Sequence, residues 1–388
     1  MKIPLRLFLV LLSAYTFVEI QAQDCKQADS LLIQQAYISA ISKYLQCCQS
    51  ENYSNRCQLG LASCYIQAGD YAKARDIYHA LESDSIYYSD AISKLAMIYE
   101  TQQNLPKAIK YFLALQKVYP QNPTYLRKLG SLYLQGREQR EAMLYYQKAL
   151  HINHQDVLAV QGLTEMYINL EDWNKADSLV DIGLQADSLH IGLQLIKARI
   201  KYRMKDYAST AQILNKLTGQ TELNNYYNKL LGFSWMQIDS LDKAIFHLQK
   251  SLLDESDKEY ALFYLALAYE KKKEYDKSEW YFQEAIKAGI SNNLGQYHRG
   301  LARIYTSNDE FTKAIQAYQN SLTYDDNGEA YFYQGNLAEQ CFKDKSKAIN
   351  YYQKYLKSTP TNVEFANLAR QRIKVLKENV FMSGSQKK

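Results

Sequence analysis

The chain has 388 residues, with 46 basic and 41 acidic side chains and a formal net charge of +5. So small a charge on so long a chain argues against nucleic acid held by bulk electrostatics. A hydrophobic fraction of 47% and a charged fraction of 22% exclude a disordered chain, and 5 prolines suit an almost wholly helical one.

Residues 1–22 read as a secretion signal. Lys2 and Arg6 supply its positive end, Leu7 to Val18 its apolar run, and Ile20-Gln21-Ala22 a cleavage site before Gln23. The run falls short of the ~20 apolar residues that a membrane span needs, and Ser13 and Thr16 interrupt it. Cleavage is therefore expected, leaving no stable membrane span. No small residue stands before Cys25 as a lipoprotein signal would require. The expected location is outside the cytoplasm, in the periplasm or on the outer surface of a Gram-negative bacterium.

Residues 23–54 read as an irregular N-terminal helical hairpin, whose second helix already carries the spacing Ala40, Tyr44, Cys47. Five of the 6 cysteines lie between Cys25 and Cys64, which in an exported chain invites disulfides. Cys57 and Cys64, seven apart on one helix, stand ~10.5 Å apart along its axis and cannot pair. Cys47 or Cys48 with Cys57 is the first expected pairing and Cys25 with Cys64 the second. The alternative is buried thiols in the place of Ala or Leu.

From Asn55 a 34-residue pattern sets in. Its repeats start at Asn55, Ser89, Pro123, Val157, Ile191, Asn225, Glu259, Gly295 and Glu329, with one step of 36 before Gly295. Position 20 is small throughout: Ala74, Ala108, Ala142, Ala176, Thr210, Ala244, Ser278, Ala314 and Ala348. Position 7 is mostly Leu, and position 11 is Tyr or Trp in seven of the nine repeats, the fifth having Lys201 with Tyr202 beside it and the ninth being out of phase. Position 24 is aromatic or aliphatic. These spacings make two facing helical stripes with a turn between them. The small residue marks where the second helix crosses the first, since a large side chain there would push the pair apart. In the ninth repeat Leu337 and Cys341 are out of phase. After Pro360, residues 363–388 read as a capping helix, with Ala366, Ala369, Ile373 and Leu376 on one face, followed by a polar tail.

The stretch from Pro123 to Asp156, with Leu129, Gly130, Tyr133, Ala142, Tyr146 and Ala149 at positions 7, 8, 11, 20, 24 and 27, resembles the tetratricopeptide repeat. The resemblance spans about residues 23–378. It implies an all-α solenoid of about nine helix-turn-helix repeats over residues 55–362, wound as a right-handed superhelix. It further implies a concave groove lined by positions 2, 5, 9 and 12 of each first helix. In repeats five to eight those and adjacent positions hold Arg199, Tyr202, Arg203, Tyr226, Lys229, Phe233, Tyr260, Phe263, Tyr264, Arg299 and Arg303. Aromatic and Arg side chains there suit an extended protein or peptide partner, through stacking and charge-assisted hydrogen bonds. Repeats one to four offer a blander set, Arg56, Ser63, Asp90, Ser93, Arg127, Ser131, Gln161 and Glu165. The family's carboxylate clamp is missing, because Lys229 is followed by Phe233 where Asn would stand.

No P-loop, nucleophile elbow, H-E-x-x-H or C-x-x-C occurs, so no catalytic residue, cofactor or metal is expected. His151-x-x-His154-x-Asp156 is the nearest to a metal set and is equally a polar turn. Asp-Ser-Leu or Asp-Ser-Ile at Ser30, Ser85, Ser178, Ser188 and Ser240 resembles an O-glycosylation signal of some Gram-negative exported proteins. The functional expectation is a non-enzymatic scaffold for envelope assembly or secretion. The alternative is a sensor or glycan-binding component of a signalling or polysaccharide-uptake system.

Overall fold

A computed structural model describes residues 25–48, 54–252, 258–289, 292–358, 360 and 362–385, and the expected secretion signal lies outside the described residues. Among the described residues every element is a helix. The chain divides into two compact bodies, Met1–Leu189 and His190–Lys388.

In the N-terminal body α1 (25–33) and α2 (Tyr37–Cys47) precede four helix pairs. These are α3 (Ser54–Gln67) with α4 (Tyr71–Leu81), α5 (Tyr88–Thr101) with α6 (Leu105–Val118), α7 (Pro123–Gln135) with α8 (Gln139–Ile152), and α9 (Val157–Asn169) with α10 (Trp173–Ala186). The C-terminal body has five pairs. They are α11 (Ile191–Arg203) with α12 (Tyr207–Leu217), α13 (Asn225–Gln237) with α14 (Leu241–Ser251), α15 (Lys258–Lys271) with α16 (Tyr275–Ala288), α17 (Leu294–Ser307) with α18 (Phe311–Ser321), and α19 (Glu329–Cys341) with α20 (Ser346–Lys357). A final helix, α21 (Val363–Ser385), buries Ala366, Ala369 and Leu376 against the last pair and closes its apolar face.

The turn inside each of the first eight pairs is built the same way. The amide of position 16 donates back to the carbonyl of position 11, as in Glu138 to Tyr133 and Asp206 to Lys201, both at 2.9 Å. That bond needs position 15 in the left-handed region, the C-terminal motif that usually calls for glycine. Gly69 supplies it once, but Gln103, Arg137, Glu171, Lys205, Asp239, Lys273 and Asp309 hold φ between 56° and 63° at the same place. Position 16 then opens the second helix. The carboxylates of Asp70, Asp172 and Asp206, and the amide oxygen of Asn104, accept from the backbone amide three residues on.

The crossing of each pair is as tight as the spacing requires. Ala40 and all nine position-20 residues are fully buried. The two that are not alanine find acceptors for their hydroxyls: Thr210 donates to Asp206 O and Ser278 to Ala266 O, each at 2.8 Å. At three of the joints between repeats, the ring at position 24 (Tyr44, Tyr146 or Phe282) lies on a glycine at position 6 of the next first helix (Gly60, Gly162 or Gly300). A Cβ at Gly162 would stand 2.4 Å from the Tyr146 ring, and one at Gly300 2.3 Å from Phe282. The interior of each body is therefore a run of short apolar clusters under consecutive repeats.

The ninth repeat departs as its sequence does. Gly335 sits on Tyr352 one position earlier than Gly130 sits on Tyr146, so α19 is slid by a residue. The turn after it takes up the slack. Lys345 reaches back with its Nζ to Glu339 O and Phe342 O, at 2.5 and 2.8 Å, and satisfies the end of α19.

In the first hairpin Cys47 lies within bonding reach of Cys57, as one expectation had it, but also of Cys25. The pairing of Cys25 with Cys64 does not form. Cys48, Cys64 and Cys341 are thiols, and burial pushes Cys48 and Cys64 up to about 11. Asp156, of the polar turn weighed above, is committed to the fold. It caps α9 through Leu158 N and Ala159 N, both 3.1 Å, and its other oxygen accepts from Arg127 at 3.2 Å.

Candidate functional site

The residues of interest fall on the first helices of the C-terminal body, where three groups form. The first is a chain of rings. Phe233 on α13 packs edge-on against Tyr202 of α11 at 5.7 Å and Tyr207 of α12 at 5.5 Å, and meets Tyr264 of α15 at 4.6 Å. These rings are half-buried. Burial, reinforced by the neighbouring Tyr264 and Tyr207, raises the Tyr202 hydroxyl well above the usual phenol range. Tyr202, beside Lys201 at position 11, thus belongs to the ring chain.

The second group is cationic. Lys229 Nζ stands 5.9 Å from the ring centre of Tyr226 and 5.7 Å from that of Tyr260. The two rings are 37% and 36% exposed, with the half-buried Lys229 between them. Arg203, at the end of α11, is exposed, and Arg199 is half-buried one turn before it.

The third group surrounds a cleft of about 490 Å³ between α15, α17, α18 and α19, lined by Glu270, Arg299, Arg303, Tyr318, Glu329 and Tyr333 with three small polar residues. Arg303 grips Glu270 with two parallel bonds, 2.8 and 2.9 Å. This pairing raises the guanidinium further above its ordinary value. Arg299 is turned to Asp325, 2.5 Å away. Tyr318 stacks on Tyr333 at 5.4 Å, and burial pushes its hydroxyl up to about 12.

Models of the tetratricopeptide repeat match residues 56–84, 93–156, 298–330 and 329–362. The chain is a tetratricopeptide-repeat protein. No curated relative matches it by sequence. Among solved structures it is similar to a tetratricopeptide repeat protein from Parabacteroides merdae, at 16% identity over 64% of this chain and 98% of that one, TM-score 0.44. It is also similar to YrrB, described as a TPR protein with an unusual peptide-binding site, at 14% identity over 48% of this chain and 95% of that one, TM-score 0.43. A third is the anaphase-promoting-complex assembly Cut9–Hcn1, at 13% identity, 90% and 96% coverage and TM-score 0.45. Nothing about this chain's partner follows from likenesses so distant.

Set in the tetratricopeptide frame, the expected residues separate into three fates. Tyr202, Tyr226, Lys229, Phe233, Tyr260 and Tyr264 come together as neighbours on α11, α13 and α15. Arg299 and Arg303 come together around the cleft, each already holding a carboxylate of its own chain. Phe263 is a correction: it is 6% exposed and packs against Phe282 and Tyr297, at 6.0 and 4.6 Å. Its position points between adjacent repeats, into the apolar cluster that Phe282 and Tyr297 share. The sequence reading passed over Glu329, Tyr333 and Tyr318. Tyr333 carried a signal, standing at position 5 of the repeat after Arg299.

Proposed function

We propose that the C-terminal body binds an extended segment of another protein along α11, α13, α15 and α17, and that the chain is a non-enzymatic scaffold. The observation that carries this reading is the Tyr226–Lys229–Tyr260 set, two exposed rings flanking one ammonium, continuous with the half-buried rings of Tyr202, Phe233 and Tyr264. Exposed apolar rings beside a cation offer stacking and cation–π attraction of about 0.5–2 kcal/mol per contact. The partly exposed Arg303 fork adds a charged end to the same surface.

The test is capture of the partner from envelope extract by the parent chain and by a triple variant, Arg203→Glu, Lys229→Glu and Tyr260→Ala. Arg203 and Tyr260 are exposed and Lys229 is half-buried, so a helical circular-dichroism spectrum close to the parent's is expected. Loss of the captured protein supports the reading, and equal recovery removes the binding surface from this face.

The same proposal places the chain outside the cytoplasm, serving envelope assembly or secretion, because residues 1–22 have the make-up of a cleaved signal. N-terminal sequencing of the protein from a periplasmic fraction should begin at Gln23. A chain that begins at Met1 and stays with the cytoplasm contradicts export.

A further inference from the structure

Three sulfurs meet where α1, α2 and α3 pack together. Cys47 is fully buried and lies within bonding reach of both Cys25 and Cys57, with Cα separations of 5.3 and 6.3 Å. Cys25 Sγ and Cys57 Sγ are themselves 3.3 Å apart, and all three sulfurs lie within 4.8 Å of one another. A sulfur takes part in one disulfide at a time, so this cluster can hold one bond and must keep one thiol. Access separates the three: Cys57 is 2% exposed and Cys47 not at all, whereas Cys25 is half-buried. The surroundings are apolar, formed by Ala28, Ala40, Tyr44 and Leu61.

We propose that Cys25, Cys47 and Cys57 form a thiol–disulfide exchange site, with Cys25 as the entry sulfur, Cys47 shared and Cys57 as the inner resolving sulfur. Its outside substrate is a disulfide, of a protein or of glutathione. From the reduced cluster the Cys25 thiolate attacks the outside disulfide, making a mixed disulfide and expelling one outside thiolate. The Cys47 thiolate then attacks Cys25 Sγ, forming the Cys25–Cys47 bond and releasing the second outside thiolate. Two electrons have passed to the outside disulfide, and the two thiol protons end on its products. Finally the Cys57 thiolate attacks Cys47 Sγ, the Cys47–Cys57 bond forms, and Cys25 leaves as a thiolate that takes up the proton of Cys57. That last step changes no oxidation state and returns a thiol to the accessible position. The two bonds open to Cys47 close loops of 22 and 10 residues. So small a ratio in loop length leaves neither isomer strongly favoured by chain entropy, which is the condition for exchange between them.

The experiment uses the full chain, reduced, desalted and given oxidised glutathione, with samples quenched in acid, blocked with N-ethylmaleimide and mapped by mass spectrometry. The parent chain should show a glutathione adduct on Cys25 first, then Cys25–Cys47, then a mixture with Cys47–Cys57, with one thiol of the three always blocked. Cys57→Ser should stop at Cys25–Cys47, whereas Cys47→Ser leaves Cys57, 3.3 Å from Cys25, to resolve the adduct directly as Cys25–Cys57. Cys25→Ser should oxidise more slowly by about tenfold or more, as expected when only buried thiols remain. The time course of the parent chain needs no variant to fold, and decides the matter by itself. A single invariant disulfide, or a Cys25→Ser chain that oxidises at the parent rate, overturns the proposal. So does a stoichiometric metal that keeps all three thiols unreactive until a chelator removes it.

Discussion

At position 9 of the first helix, repeats one and three of the N-terminal body diverge from repeats six and eight of the C-terminal body, while Met97, Glu165, Arg199, Leu267 and Leu337 fill it in the others. In the N-terminal body Ser63 and Ser131 stand there, and their hydroxyls meet the buried hydroxyls of Tyr78 and Tyr146 on the second helix of the same repeat. Nearby polar groups are consumed in the same way. His79 is held between Glu82 at 2.5 Å and Tyr99 at 2.9 Å, and Tyr111 donates to Glu82 at 2.8 Å. In the C-terminal body the same position holds Phe233 and Arg303, which are too large to turn inward. Phe233 joins rings from three neighbouring helices, and Arg303 reaches the preceding repeat. One frame thus serves two ends: small hydroxyls spend it on internal satisfaction, and large side chains carry it to the surface.

The contrast can be broken most forcefully at Phe263. Phe263→Ala should cost ~3–5 kcal/mol, the usual range for an emptied aromatic core site, whereas Tyr260→Ala, three residues away and exposed, should change stability by less than ~0.5 kcal/mol. Denaturant unfolding followed by circular dichroism gives both numbers, and similar losses would erase the line between core and surface on α15. The crossing, by contrast, should treat the bodies alike. Ala142→Leu and Ala314→Leu should each cost ~1–3 kcal/mol by overpacking, and an unshifted melting temperature in either would mean that the pair is looser there than its burial indicates.

Acid should act on the C-terminal body through His247, which is 7% exposed and hydrogen-bonded at Nδ1 to Asn228 Oδ1 at 3.0 Å. Burial lowers its pKa from 6.5 to about 4, with Lys250 adding to the effect. Between these values the unfolded chain carries the proton and the folded one does not. Stability is therefore full above about pH 6.5, falls as the pH drops and levels off below about pH 4, with at most ~3 kcal/mol at stake. Hydrogen exchange of α13 and α14 across this range should show the slope, and His247→Gln should remove it. The smallest effect should again be common to both bodies. Arg137→Gly and Lys205→Gly relieve left-handed backbone and should each stabilise by ~0.5–1 kcal/mol; a loss of stability instead would mean that those side chains hold the turn.

Much of the fold was legible because its constraint is a spacing. A small residue recurring about every 34 residues, with a ring or an aliphatic side chain four residues after it, can be read without knowing which atoms touch. The turns were legible in place but not in conformation, since Arg137, Lys205 and Glu171 carry no mark of the left-handed backbone that the position-16 amide imposes on them. The site was half legible. Periodicity put Tyr226, Lys229 and Tyr260 on one face, but it could not tell that Phe263 turns between repeats or that Arg299 reaches Asp325, because those depend on neighbours 19 to 34 residues away. The third cysteine was missed for a similar reason, as α1 does not follow the repeat that places Cys47 and Cys57.

The claim on which the account rests is that the first helices of the C-terminal body, and not those of the N-terminal body, meet the partner. A photo-crosslinking residue placed at Tyr226 or Tyr260, and in separate strains at Arg56 or Gln161, tests it in living cells. The account predicts one discrete adduct from Tyr226 and Tyr260 and none from Arg56 and Gln161. The same adduct from all four positions, or adducts from the N-terminal pair alone, would contradict it.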